Sequence, residues 1–426
     1  MKKRFLILSM LLAGSLCACQ KAETPVIEPD TTTTETTVTP PSNPAPQLSG
    51  QTPDGDPIDY STETPDIVVS DGEEIVSDYI FALNYLANGQ NYAIAPESLN
   101  SALDMYQRIL LDGDEKNDIL NVLDGRDYLS YVSTSDYKLV NRIWANTLHP
   151  SDFSSVPDLQ PYVYEIEMLD DGVATDTKNA FVNEMTDGFI PATPTELVPN
   201  TVLDIMNIAY FHAAWDGTYN DFTVLPDKID FKDNAGHTNA IEMVGFSTGE
   251  GHSYIESDTA YGVNLRYAST DENEDGMTMI VILPKEGYTI SQIDLKEFLP
   301  LTAYNYQFAD VFNFAMPRID VNCNWSMAPT DKDLCTMLGL PNFGAGPANT
   351  DIVNYSSPAL NQIVKIKSDE EGTTAAAVTE IMLDNGIAID DEPTTFDFIC
   401  NKPFLYVIYD NTNHDIAFIG QQTKSE

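Results

Sequence analysis

Asp369-Glu370-Glu371-Gly372-Thr373-Thr374-Ala375-Ala376-Ala377-Val378-Thr379-Glu380-Ile381-Met382-Leu383 carries two competing conformational preferences. With a period of two, Thr373, Ala375, Ala377, Thr379, Ile381 and Leu383 share one face, and all are small or apolar. Thr374, Ala376, Val378, Glu380, Met382 and Asp384 share the other face, which carries both charges. That alternation belongs to a strand. Ala375-Ala376-Ala377 is nevertheless a poor β-former and suits loop or helix equally. Turn residues follow, Asp384-Asn385-Gly386 and then Asp390-Asp391-Glu392-Pro393. A strand-competent sequence running into a long loop points to one segment with two states.

Around this segment the chain mixes helices and strands. The spacing after Pro96 and Ser98 predicts an amphipathic helix over Asn100–Leu111. Met277–Leu283 is a nearly continuous apolar run that suits a buried strand. Phe404–Tyr409 and Ile416–Ile419, separated by the polar Asp410–Asp415, read as a C-terminal hairpin. Helices dominate the first half and strands the second, without internal repeats. The expected class is α+β with a largely antiparallel sheet system.

The run Glu-Glu-Gly-Thr-x-Ala-Ala-Ala-x-Thr, at Glu370, Glu371, Gly372, Thr373, Thr374, Ala375, Ala376, Ala377, Val378 and Thr379, resembles the hinge of the serpins. Further segments resemble that family in order along the chain. They are Asn91–Ser98, Thr186–Ile190, Asn207–Trp215, Met316–Ile319, Asn401–Phe404 and Phe418–Gly420. The resemblance covers roughly residues 71–422. It implies a serpin fold of three sheets with roughly eight or nine helices and an exposed reactive loop between about Glu370 and Pro393. It also implies a suicide-type protease inhibitor rather than an enzyme. A protease cleaves the loop, and the freed hinge inserts into the main sheet as a new strand. Small residues at Thr373, Ala375 and Ala377 suit that entry, since a charge there would have to be buried. Ser98, Asn207 and Trp215 match the region where the sheet opens. Ala95 stands where serpins usually have a serine, and Gln362 where many have a histidine, so a polar network beneath the sheet is expected to be depleted. Counting about seventeen residues from Glu370 places the cleaved bond at Gly386-Ile387. No Lys or Arg occurs from Ser368 to Asn401, which disfavours trypsin-like targets. Elastase-like and subtilisin-like serine proteases, and papain-like cysteine proteases, fit the aliphatic residues better. The alternative is a non-inhibitory serpin-fold binding protein, whose hinges usually carry bulky, charged or proline residues.

The first residues read as an export signal, with Lys2, Lys3 and Arg4 before the short apolar core Phe5–Leu12. Leu16-Cys17-Ala18-Cys19 has the pattern of a bacterial lipoprotein signal, which makes Cys19 the lipidated residue. The expected organisation is a signal peptide over 1–18, a Thr/Pro-rich tether over 19–70 and the folded domain over 71–426. The tether has almost nothing apolar to offset its ordering entropy. Placement is therefore expected on an outer membrane or the surface of a Gram-negative cell, or alternatively in the secreted pool. The formal net charge of −45 disfavours nucleic acid and heparin-type cofactors. A monomer without cofactor or metal is expected.

Other motifs carry less. Gly245-Phe246-Ser247-Thr248-Gly249 has the Gly-x-Ser-x-Gly spacing of a hydrolase, but Gly251 discourages the helix such a nucleophile needs. Asp271–Gly276 imitates the front of a calcium loop, yet its twelfth position is Ile282 and a charged turn fits better. The five histidines lie at no metal-binding spacing. Cys323, Cys335 and Cys400 are expected as reduced thiols, with a Cys323–Cys335 disulfide as the alternative.

Overall fold

Strand Met277–Pro284 is buried along its whole length and lies at the centre of a seven-stranded antiparallel sheet. Its neighbours are Ala260–Arg266 on one side and Phe404–Asp410 on the other. The continuous apolar run follows from burial on both faces. Ile280 and Ile282, with Leu405 and Val407, enter one core cluster that includes much of the helical half. Met279, Val281 and Leu283, with Tyr406 and Ile408, enter a second cluster shared with the other sheets. The strand period of two thus feeds two cores from one strand. The expected C-terminal hairpin is present as Phe404–Asp410 and Asp415–Gln422.

The computed structural model describes residues 75–425, apart from 132, 134–135, 218–220, 250, 269–275, 301–302, 304, 356 and 373–393, together with a short antiparallel pair at Gly50–Gln51 and Pro57–Ile58. Cys19, hinge residues Thr373–Thr379, the Gly386-Ile387 bond and the tip at 271–275 lie outside the described residues.

The α-helices are α1 (Ile75–Ala87), α2 (Pro96–Gln107), α3 (Asp114–Leu123), α4 (Val173–Met185) and α5 (Lys332–Met337). Among the described residues these five, with four short 3-10 turns, are fewer α-helices than expected. The turn Pro157–Tyr162 contains Pro161, which donates no backbone hydrogen bond, and it stays 3-10. Helix α2 starts four residues earlier than its apolar spacing predicts and ends at Gln107 rather than Leu111. Pro96 occupies its first turn, where a missing N–H costs nothing. No helix among the described residues is long and apolar enough to cross a membrane.

A four-stranded sheet runs Thr395–Ile399, Val311–Met316, Val244–Thr248 and Thr223–Val224. The third large sheet is in two pieces. One piece has β1 (Tyr137–Asn146) at its centre, parallel to β2 (Val163–Ile166) and antiparallel to β3 (Leu203–Phe211). The other is the antiparallel pair β4 (Ile319–Met327) and β5 (Leu360–Ser368). Among the described residues no backbone ladder joins β3 to β5.

Candidate functional site

Between β3 and β5 lies a cavity of about 420 Å³, walled by Leu203–Ala209 on one side and Ala359–Ile363 on the other. Leu99 and Leu103 of α2 line it too, with Val182 of α4. The cavity is a missing strand in outline. Along β3, Leu203 to Asn207 are only half-buried although most are apolar.

Both pieces hang from the start of α2. Gln362 of β5 is buried, and its Nε2 donates to the carbonyl of Ala95 at 2.8 Å. Its Oε1 accepts from the Ala95 N–H at 3.0 Å and from Trp325 Nε1 at 3.1 Å. The network read as depleted from the sequence is therefore intact in another form. The main chain of Ala95 supplies what a serine side chain would, and an amide suits a paired donor and acceptor. On the other side, Ser98 Oγ donates to the Asn207 carbonyl at 3.4 Å. Asn207 Nδ2 and Ser101 Oγ each donate to Asn141 Oδ1 at 2.9 Å.

Helix α4 covers the gap. Its buried Lys178 donates to the Thr195 carbonyl at 2.7 Å and pairs with Asp204 of β3 at 3.0 Å. At its C-terminal end the Phe189 ring meets Tyr210 of β3, with centroids 5.9 Å apart. The Phe189 carbonyl accepts from Lys365 of β5 at 2.9 Å. Thr186–Ile190, picked out by resemblance, thus spans the two pieces without joining their backbones.

The hinge begins where the gap closes. Strand β5 ends at Ser368, and the chain reverses through Glu370 and Glu371. Asp369 and Gly372 exchange backbone hydrogen bonds at 3.2 and 3.3 Å. Gly372 also bridges Ala214, just beyond β3. Its φ of +107° and the position of a hypothetical Cβ, 2.5 Å from the Trp215 nitrogen, admit only glycine. Trp215 is buried, stacked on Tyr267 at 4.5 Å, and its Nε1 donates to the Asp369 carbonyl at 2.8 Å. Glu370 accepts two bonds from Arg318, from Nε at 2.7 Å and Nη2 at 2.8 Å. Arg318 also pairs with Glu242. These bonds from the guanidinium hold the Glu370 carboxyl below the usual carboxylate range, and the two carboxylates push Arg318 up. Glu370 and Gly372, the first and third hinge residues, are therefore pinned.

A family model described as Serpin (serine protease inhibitor) matches residues 80–425. The chain belongs to the serpin family. Serpin B4 of Homo sapiens is 21% identical over 331 residues, 74% of this chain and 77% of the relative. A serpin-like protein of Thermococcus kodakarensis is 26% identical over 248 residues, 57% of this chain and 54% of that protein. Among solved structures, the thermophilic serpin tengpin in its native state superposes with a TM-score of 0.61 at 20% identity, covering 85% of this chain and 95% of that one. Thyroxine-binding globulin complexed with thyroxine gives 0.60 at 16% identity, covering 83% and 99%. The fold is the serpin fold.

Ser98 and Asn207 line the gap, and Trp215 lies beside the start of the hinge. Arg318, Lys365, Asn141 and Lys178 were not singled out from the sequence. One signal was available: with 21 Lys and Arg against 66 Asp and Glu, a cation inside a strand or helix needs a reason. Ser247 sits within strand Val244–Thr248, and its hydroxyl donates to Asn313 Oδ1 at 2.6 Å. Gly245 is set by packing, since a Cβ there would lie 2.1 Å from the Phe314 carbonyl oxygen. Cys323, Cys335 and Cys400 are free thiols, and Cys323 donates to the Ala93 carbonyl rather than bonding to Cys335.

Proposed function

We propose that this serpin is a single-use inhibitor of serine endopeptidases, cleaved in its loop and disarming the protease by inserting the hinge between β3 and β5. The observation that carries this reading is the divided main sheet, whose gap adjoins the pinned start of the hinge at Gly372. The serine Oγ of the protease adds to the carbonyl carbon at Gly386. The C–N bond breaks, Ile387 leaves as a protonated amine, and Gly386 stays as an ester on the serine. The freed segment then pairs with the open edges of both strands. About ten new backbone hydrogen bonds at ~1 kcal/mol each would supply on the order of 10 kcal/mol, enough to drag the esterified protease away. Insertion has to outrun ester hydrolysis, and the hinge composition serves that race. Gly372 allows the backbone to swing, and Ala375 and Ala377 present no charge or bulk.

The target class follows from the loop. The candidate bonds from Asp384 to Ala388 offer Gly386, Ile387 and Ala388, which suits elastase-like and subtilisin-like serine proteases and papain-like cysteine proteases. The site of action proposed is a membrane surface, through a lipid on Cys19. Cys19→Ala should move the protein out of the membrane fraction and leave inhibition intact.

The test is to mix the purified domain with trypsin, elastases, subtilisin and papain, resolve the products on denaturing gels and map the cut by mass spectrometry. Covalent complexes with elastase or subtilisin, cut between Leu383 and Ile389, are expected. Cleavage without complexes would point to a substrate, and no reaction to a binding protein; either overturns the inhibitory reading. Complexes with trypsin alone would overturn the target class.

A further inference from the structure

Glu97 is fully buried in the first turn of α2, between Ala95, which holds Gln362, and Ser98, which reaches Asn207. Its surroundings are acidic. Asp410 and Asp415 face it from the C-terminal hairpin, with Tyr409 beside them. The Tyr137 hydroxyl faces it from β1, and Arg126 and Tyr131 face it from the loop after α3. Arg126 is committed elsewhere. Its guanidinium pairs with Asp415 at 3.1 Å and donates to the His414 carbonyl and the Tyr131 hydroxyl at 3.2 Å. Asp415 also accepts from the hydroxyls of Tyr128 at 2.7 Å and Tyr131 at 3.2 Å. Asp410 accepts from the N–H groups of Thr412 and Asn413 and from the Asn413 amide, at 2.7 to 3.0 Å. The cation and the donors of this pocket thus serve the two aspartates, and Tyr137 is the neutral hydroxyl beside Glu97.

We propose that a proton on Glu97 is part of the native state, and that losing it as pH rises loosens the turn from which both pieces of the split sheet hang. Two effects compete. The N-terminus of α2 favours an anion and lowers a carboxyl by at most ~1.5 pH units. Burial shifts a carboxyl upward by as much as ~3–5 pH units, and two nearby aspartates add to it. Burial and repulsion win, and they hold the Glu97 carboxyl well above the usual carboxylate range. The sign follows. The unfolded chain gives up this proton near its ordinary value while the folded chain keeps it, so stability is full at acid pH and falls through the range between the two values. Burial pushes the Asp415 carboxyl up as well, but Arg126, the Tyr128 and Tyr131 hydroxyls and the Ile416 N–H favour its anion, whereas Glu97 has none of these donors. An ionised Glu97 would therefore add negative charge to this acidic cluster at the turn that carries the Ala95–Gln362 and Ser98–Asn207 contacts.

Unfolding temperature is measured from pH 5 to pH 8.5 for the full domain and for Glu97→Gln, which keeps the shape and removes the ionisation. The variant should match the parent at the acid end and exceed it at the alkaline end by about 2 °C or more. A difference that does not change with pH, or a variant less stable than the parent at pH 8.5, would overturn the proposal. A second measurement needs no variant. At pH 7 the infrared spectrum should contain the carbonyl band of a protonated carboxylic acid that moves when glutamate alone is labelled with ¹³C. Absence of a glutamate-shifted band would equally sink the idea.

Discussion

The seven-stranded sheet and the divided sheet treat their strand edges in opposite ways. In the first, Met277–Pro284 is paired on both edges, buried along its whole length and apolar apart from Thr278. In the second, β3 and β5 hold as many Ile and Leu residues, but polar ones stand among them, Asp204 and Asn207 in β3 and Asn361, Gln362, Lys365 and Lys367 in β5, and each strand keeps one edge facing a cavity of about 420 Å³. Pairing and composition change together. Across the gap the two pieces are held by side chains, each replaceable. Under the proposed mechanism the stability of the starting state is kinetic, and the weak seam lies where the new strand would go.

Substitutions sharpen this contrast when ranked by their effect on native stability. Ile282→Ala removes a fully buried side chain from the paired sheet and should cost about 3 kcal/mol, read as a lower denaturation midpoint, while the ratio of complexed to cleaved product stays unchanged. Gln362→Leu strips the Ala95 N–H and carbonyl and the Trp325 indole of their partners, at about 2 kcal/mol. Unlike the first, it should also shorten the half-life of inhibitory activity on warming, because it acts at the seam. Equal half-lives for the two variants at matched midpoints would break the comparison. Arg318→Ala releases Glu370 and should alter the midpoint by less than about 1 kcal/mol, since the pair is partly exposed. Because Glu370 is held below its ordinary range, that contribution is present at neutral pH and is lost on acidification. Thr373→Arg and Ala375→Pro should leave the midpoint where it is and yet raise the cleaved fraction at the expense of complex. Arg would bury a charge, and Pro removes a ladder donor. No rise in cleaved product in either would count against insertion.

The sequence made some of this legible and hid the rest for physical reasons. Met277–Pro284 was readable because burial on both faces leaves an apolar run. The start of α2 was not, because Glu97, Ser98, Asn100, Ser101 and Asp104 are all buried there. A helix with a polar buried face has no apolar stripe to find. Gln362 and Ala95 looked like a weakened network because only side chains are written in a sequence. The partner that mattered is a main-chain amide, which every residue but proline carries. The hinge was recognised from its small residues. Its anchorage by Arg318 and Trp215 depends on contacts 52 and 154 residues away along the chain. No local pattern encodes such contacts.

The central claim is that the gap between β3 and β5 is held open for the chain's own hinge. It is tested most directly by nicking the loop within 373–393 with a protease that forms no complex, then comparing thermal unfolding of nicked and intact protein. A cut in an ordinary loop leaves a domain as stable as before or less so. Here the nicked protein should unfold at a clearly higher temperature, because the released strand fills the gap and pairs both open edges. Unfolding at the same or a lower temperature, with the loop shown by mass spectrometry to be cut, would contradict the account.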